Sequence, residues 1–255
     1  MLVSTSFSDI TIDNSSLRMF VASPRTESKS KFPGVIFSSD IFQLTPPMLR
    51  SCVRLAGYGF VVAAPEIYHR LETPGTPLPF DDAGRTRGLA NALKTSVHDF
   101  DRDCRAVLDF LAQHPMVTPS KLAAAGFCIG GHLAFRAALQ PDVRATVCFY
   151  GTGIHDGRLG KEEDAGSLQR ASEIKGELLM IFGEADPHVP KEAHEKIRGA
   201  LQEGGVKYRV KLYPAEHAFM RDEGPRYDPL CTDLAFADMI QLFRNTFGES
   251  SGTAA

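Results

Sequence analysis

Gly126-Phe127-Cys128-Ile129-Gly130-Gly131 is the stretch around which the chain is organised. Residues 121–126 read as a short buried strand, and residues 132–140 read as a helix. A strand turning sharply into a helix, with glycines two residues either side of a nucleophile, is the pattern of a nucleophile elbow. The glycines are needed because the turn is strained and its two backbones pass too close to leave room for Cβ atoms. Serine is the usual residue at the apex; here it is Cys128. The next amide, that of Ile129, sits at a helix N-terminus, where an N–H can face a developing oxyanion. Two other readings compete. A phosphate-binding loop would need the G-x-G-x-x-G spacing or the Lys-Ser/Thr of a P-loop, and neither is present. A small buried hydrophobe is what most free cysteines are. The rest of the chain has to decide.

Outward from the elbow, short apolar strands alternate with helices of about a dozen residues, the signature of βαβ units and a mostly parallel sheet. Residues 7–23 alternate as strands with a hairpin turn at 13–16. A compact strand follows at 32–37, then a helix from Thr45 to Gly57 with Pro46 at its first position. Residues 60–64 form a strand stopped by Pro65. Val97, Phe100, Cys104, Val107, Leu108 and Leu111 recur at helical spacing and predict a core-facing stripe over 97–113. Strands follow at 143–150, 178–182 and 208–213, helices at 191–202 and 229–247. Residues 66–95, with prolines at 74, 77 and 79 and glycines at 75, 84 and 88, break the pattern. They read as a long excursion, either a lid or substrate wall or an ordinary surface insertion. The expectation is one α/β domain over 1–255, its sheet covered by helices on both faces and its last residues, 248–255, a frayed tail.

Composition excludes several function classes. The 255 residues are 43% hydrophobic and 23% charged with a net charge of −3, which predicts an ordinary core and no electrostatic pull towards nucleic acid or anionic membrane. No apolar run approaches the ~18 residues of a membrane span. The N-terminus lacks the basic and apolar regions of a secretory signal. Five cysteines, odd in number and without C-x-x-C spacing, point to reduced thiols in the cytoplasm and away from a structural zinc.

Ligands of open parallel sheets bind at the carboxyl ends of the strands. Three groups stand at such ends in the order Cys128, Asp186, His217, the order nucleophile, acid, base. A thiol must lose its proton to attack a carbonyl. His217 can take that proton, and Asp186 can fix the imidazole tautomer and stabilise the cation. A single histidine after a strand is usually a surface residue, and Asp before Pro-His usually a turn-former. All three in order, each after an apolar strand, is much harder to produce by accident. His188 is a reserve candidate for the base.

On these residues the sequence resembles the dienelactone hydrolase family of α/β-hydrolases, the carboxymethylenebutenolidases, over about residues 10–245. Gly126 to Gly131 reproduces the family's Gly-x-Cys-x-Gly-Gly elbow, Gly183 to Pro190 its Gly-x-x-Asp-x-x-Val-Pro run, and His217 to Arg221 its His-x-Phe-x-Arg run. Pro65-Glu-Ile-Tyr-His-Arg70, Pro74-Gly-Thr76 and the Tyr150 of Phe-Tyr-Gly also match. The resemblance implies the α/β-hydrolase fold, the catalytic triad Cys128, Asp186 and His217, and oxyanion N–H groups at Ile41 and Ile129. It also implies substrate-binding roles for Arg221, Arg87 and Tyr150. Two positions depart from the family pattern. Asp40 stands where the family has a Glu that holds the resting thiol neutral; one methylene shorter, it is expected to act as a thiol gate at Cys128 or to pair with Arg221, which would leave the gate weaker. Ala218 replaces a Ser that helps bind a substrate carboxylate.

The expected activity is a cysteine-dependent hydrolase that opens a lactone or cleaves a small ester through a thioester, with no metal or organic cofactor. The alternatives are a general carboxylesterase for uncharged esters and a non-catalytic binding protein that uses the same pocket. The expected partner is a small-molecule substrate, with no nucleic acid and no membrane, for a monomer or weak homodimer.

Overall fold

Asp13 and Asn14 turn the first hairpin, with Asp13 at φ +55°, a conformation that a short polar side chain tolerates. The flanking strands are β1 (Val3–Ile12) and β2 (Ser15–Pro24), antiparallel from Val3↔Pro24 to Ile12↔Ser15. The computed structural model describes residues 1–27 and 29–248. The expected frayed tail therefore lies outside the described residues beyond Gly248. The chain continues through β3 (Phe32–Ser38), α1 (Pro46–Gly57), β4 (Val61–Pro65), α2 (Asp82–Lys94), α3 (Val97–Gln113) and β5 (Val117–Phe127). It ends with α4 (Ile129–Ala137), β6 (Val143–Phe149), β7 (Glu177–Gly183), α5 (Lys191–Glu203), β8 (Tyr208–Tyr213) and α6 (Pro229–Phe247). The eight strands form one sheet in the order β1-β2-β4-β3-β5-β6-β7-β8. β2 meets β4 antiparallel, and every pairing from β4 to β8 is parallel. This is the mostly parallel α/β sheet that the alternation predicts.

Both faces are covered, so the middle strands are apolar throughout instead of alternating; all five residues of β4 are buried. Successive residues enter opposite cores. Val35, Phe37, Phe60 and Val62 pack with α1 and α6 through Leu55, Phe236 and Phe243. Ile36, Val61 and Ala63 pack with α3, α4 and α5 through Leu111, Phe135 and Ile197. Burying each such large side chain contributes about 1.5–3 kcal/mol. The α3 stripe is buried at Val97, Phe100, Val107, Leu108 and Leu111, while Cys104 is half-buried.

The 66–95 excursion is only partly loop, because α2 occupies its second half. Asp81 caps that helix by accepting a hydrogen bond from Gly84 N. Gly84 and Gly88, which look like helix breakers, are there for close approach. A Cβ at Gly84 would lie 2.0 Å from the Pro79 carbonyl oxygen, and one at Gly88 2.5 Å from that of Ile41. Helix α4 likewise begins at Ile129, three residues before its expected start, because Gly130 and Gly131 form its first turn. No helix among the described residues is long and apolar enough to cross a membrane.

Candidate active site

The elbow closes because three glycines let backbone meet backbone. A Cβ at Gly126 would stand 1.9 Å from the Gly130 oxygen, and one at Gly131 2.7 Å from the Gly151 Cα. A Cβ at Gly130 would strike the carbonyl oxygens of Ser38 and Ser39 at 2.3 and 2.4 Å. Cys128 sits at the apex at φ +58°, ψ −121°, a conformation that costs a non-glycine residue on the order of 1–3 kcal/mol. The apex is braced by Cys128 N–H to Phe149 O at 3.1 Å and Thr152 N–H to Cys128 O at 3.2 Å.

Among the described residues five non-glycine positions have positive φ. Four of them, Gln43, Cys128, Tyr150 and Ala218, lie in the loops that leave β3, β5, β6 and β8, so backbone strain is concentrated at one end of the sheet. The close approach at Gly130 also brings the two oxyanion candidates together. Ile129 is the first residue of α4, so its N–H has no acceptor within the helix. The chain after β3, which carries Ile41, lies directly against that helix start. The Ile41 and Ile129 side chains share one apolar cluster with Tyr68 and Leu133. Gln43 then ties this loop to the next one, accepting from Tyr68 N–H at 3.2 Å and donating to Thr76 O at 3.2 Å.

Asp186 and His217 meet across the ends of β7 and β8. His217 Nδ1 is 2.7 Å from Asp186 Oδ2. A carboxylate only accepts, so the proton is on Nδ1 and Nε2 is left for another partner. Asp186 Oδ1 accepts from the His188 backbone N–H at 2.8 Å. The His188 ring instead packs edge-on to His217 at 4.7 Å. Burial works against an imidazolium at His217, but the nearby Cys128 sulfur and the Asp186 carboxylate outweigh it and hold its pKa up to about 9. Burial likewise works against the Asp186 carboxylate, and the hydrogen bond and charge of His217 carry it below the usual carboxylate value. Tyr150, buried, packs edge-on to the same imidazole at 5.1 Å and stacks on Phe127, so it is a wall of the histidine.

Of its two expected partners, Asp40 takes Arg221. Asp40 Oδ2 accepts from Arg221 Nη2 at 2.5 Å and Nε at 3.2 Å, and Oδ1 accepts from Phe42 N–H at 2.9 Å. Both oxygens are occupied and neither bonds the sulfur. The Arg221 guanidinium is itself held between the Phe42 and Phe80 rings, at 4.8 and 4.7 Å. With Thr45, Met48, Phe127 and Tyr150 the pair walls a small recess. Arg87 has a separate partner. It is bound by buried Glu72, with Nε donating at 2.7 Å.

Two further side chains, Thr152 and Tyr68, lie near the sulfur without having been singled out in the sequence. Thr152 Oγ1 lies 3.9 Å from Cys128 Sγ, and the only hint of it in the sequence is its place between Gly151 and Gly153. Tyr68 is buried with a hydroxyl that has no partner. Among the described residues no group of His, Cys, Asp and Glu is arranged to hold a metal ion.

Comparison with known proteins places the chain in a family. The model of the dienelactone hydrolase family matches residues 17–247. A candidate carboxymethylenebutenolidase from Saccharomyces cerevisiae is 37% identical over 252 residues, covering 95% of this chain and 92% of its own. A carboxymethylenebutenolidase from a Pseudomonas species is 28% identical over 236 residues, covering 92% and 94%. The crystal structure of a candidate dienelactone hydrolase from Klebsiella pneumoniae shares the fold, with a TM-score of 0.84 at 23% identity over 95% of this chain and 99% of that one. The chain belongs to the dienelactone hydrolase family and is an α/β-hydrolase enzyme.

Proposed function

We propose that the protein hydrolyses a lactone or small ester through a thioester on Cys128. The observation that carries this reading is a strained Cys128 at a helix N-terminus, its sulfur near enough to a His217 imidazole to hold that pKa up, with the imidazole's Nδ1 tied to Asp186 at 2.7 Å. The thiol proton passes to His217 Nε2, the raised His217 pKa favouring the thiolate–imidazolium pair, and the sulfur attacks the carbonyl carbon. The N–H groups of Ile41 and Ile129 receive the oxyanion. The C–O bond then breaks and His217 returns the proton to the leaving alkoxide, which in a lactone stays attached to the acyl chain. In the second half His217 takes a proton from water, the resulting hydroxide attacks the thioester, and the thiol and a carboxylic acid are released. All five cysteines are free thiols, which fits a reducing compartment such as the cytoplasm.

A second reading concerns the substrate. Arg221 is already neutralised by Asp40, Arg87 by Glu72, and position 218 offers a methyl group. These favour an uncharged ester or lactone over a carboxylate-bearing one. Both readings are tested by Cys128→Ala and Arg221→Met on matched lactones with a free or methylated carboxylate. Cys128→Ala is expected to lose roughly 10³-fold or more in kcat on both. An anion-binding Arg221 predicts a loss of about tenfold to a hundredfold confined to the free carboxylate. Equal effects on the two substrates would leave the uncharged class as the natural one.

A further inference from the structure

Besides His217, the sulfur of Cys128 has a hydroxyl for a neighbour, Thr152 Oγ1 at 3.9 Å. Thr152 and Cys128 are both half-buried. The turn that carries Thr152 is fixed from beneath by a chain of buried polar groups on α4 and the loop after β6. His132 Nδ1 is 3.1 Å from the Thr152 carbonyl oxygen. A carbonyl only accepts, so Nδ1 carries the proton and Nε2 must accept. The Ser167 hydroxyl donates to that Nε2 at 2.7 Å, and Ser167 Oγ accepts in turn from Arg136 Nη1 at 2.9 Å. Arg136 ends the chain on Asp101, through two bonds of 2.7 and 2.6 Å. Each link dictates the direction of the next. Burial and the Arg136 charge push the His132 pKa down to about 3, so the chain keeps one protonation state through the neutral range.

With Asp40 committed to Arg221, a hydroxyl stands where a carboxylate gate would have to act. The two differ in kind. An ionised carboxylate can only accept, and its charge opposes a thiolate. A hydroxyl rotates, so it accepts from a thiol and donates to a thiolate without moving its oxygen.

We propose that Thr152 is a positioning residue for the nucleophile, its hydroxyl holding the Cys128 sulfur in both protonation states. When the proton is on the sulfur, the thiol S–H donates to Thr152 Oγ1. When the proton is on His217 Nε2, in the thiolate–imidazolium pair that the raised His217 pKa favours, the Thr152 O–H turns and donates to the sulfur, and no other proton changes hands. This inference rests on Cys128 being the nucleophile and adds the group that holds it. The other titratable and charged groups facing the sulfur are His217, Tyr68 and Tyr150, with Asp186 behind His217 and the Asp40–Arg221 pair alongside.

The test compares wild type with Thr152→Val, Thr152→Ser, Thr152→Ala and Cys128→Ala. The pH profile of Cys128 alkylation by iodoacetamide is followed by peptide mass spectrometry, and kcat/KM is measured on a neutral aryl acetate. Losing a hydroxyl donor to a charged sulfur should move the alkylation midpoint of Thr152→Val up by about one pH unit and lower kcat/KM at neutral pH about tenfold. Thr152→Ser should recover both to within about twofold, since it restores the hydroxyl. Thr152→Ala, which adds no bulk, should match Thr152→Val, and it replaces that variant if the valine impairs folding. An unchanged midpoint and unchanged kcat/KM in Thr152→Val or Thr152→Ala overturn the proposal. A loss that Thr152→Ser does not recover also overturns it, because packing would then be the cause. Wild-type turnover by Cys128→Ala would instead remove the nucleophile reading itself.

Discussion

In the proposed mechanism His217 is the residue whose protonation carries most of the chemistry, and its pKa of about 9 lies above the ordinary 6.5. A pKa raised on folding means that the contribution to stability is fully present below about pH 6.5 and is lost as pH rises through about 9. Asp186 has the opposite sign. Its pKa falls below the ordinary 3.8, so its contribution is present above that value and is lost as pH falls through the lower, folded one. Urea unfolding of wild type against His217→Gln should therefore show a stability difference that is greatest between about pH 4 and 6.5 and shrinks towards pH 9.5. The alkaline limb of kcat/KM should lie near pH 9, where the imidazolium that donates to the leaving group disappears. A limb near pH 6.5 and a pH-independent stability difference would contradict this coupling. The placement of Cys128, Asp186 and His217 after β5, β7 and β8 was legible, because each follows an apolar strand. Thr152 and the strained φ of Gln43, Tyr150 and Ala218 were not, since a hydroxyl between two glycines and a left-handed backbone leave no pattern in residue type.

At the scale of elements, glycines decide where backbones may touch, and they separate into two kinds. Gly130 in the first turn of α4 holds the helix against the Ser38 and Ser39 carbonyls, which cannot swing aside as a side chain can. Gly199 in α5 has nothing within 4 Å of an added Cβ. Gly130→Ala should push the chain after β3 away from the elbow, destabilise the fold by about 1–3 kcal/mol and separate the Ile41 and Ile129 amides. Removing such donor geometry costs roughly a hundredfold in kcat. Gly199→Ala should leave kcat alone and stabilise by about 0.5–1 kcal/mol, as a helix-interior glycine replacement does. Urea unfolding and steady-state rates on the pair check both, and equal behaviour of the two variants would refute the distinction. The same close approaches explain why α2 was hidden in the sequence. Gly84 and Gly88 are read as punctuation by composition alone, and the helix exposes Leu89 and Leu93, which blurs its apolar stripe. The helices α1, α3, α5 and α6 were plain because each presents a regular apolar face to a sheet covered on both sides.

Across the whole molecule the sheet order does the assembling. The strands β3, β5, β6, β7 and β8 are consecutive neighbours, and the loops at their carboxyl ends carry Asp40, Cys128, Thr152, Asp186 and His217. β4 lies on one side of β3 and β5 on the other, so the chain reverses its winding there, which is where open α/β sheets leave a crevice for ligand. Residues as far apart in the chain as Asp40 and Arg221 are thereby brought into contact. The alternation of strands and helices made this architecture legible. The pairing of Asp40 with Arg221 was legible as one of two alternatives, and packing of the guanidinium between Phe42 and Phe80 goes with that choice; the pairing of Arg87 with Glu72 was not, because it depends on how the loop carrying Glu72 packs against α2. Everything proposed for the site depends on Cys128 carrying the acyl group, which acid quenching during turnover of a small ester, followed by peptide mass spectrometry, detects without a variant. The acyl mass is expected on the peptide containing Cys128, formed and lost at the rate of turnover; an acyl group on another residue, or steady turnover with Cys128 unmodified throughout, would contradict the mechanism.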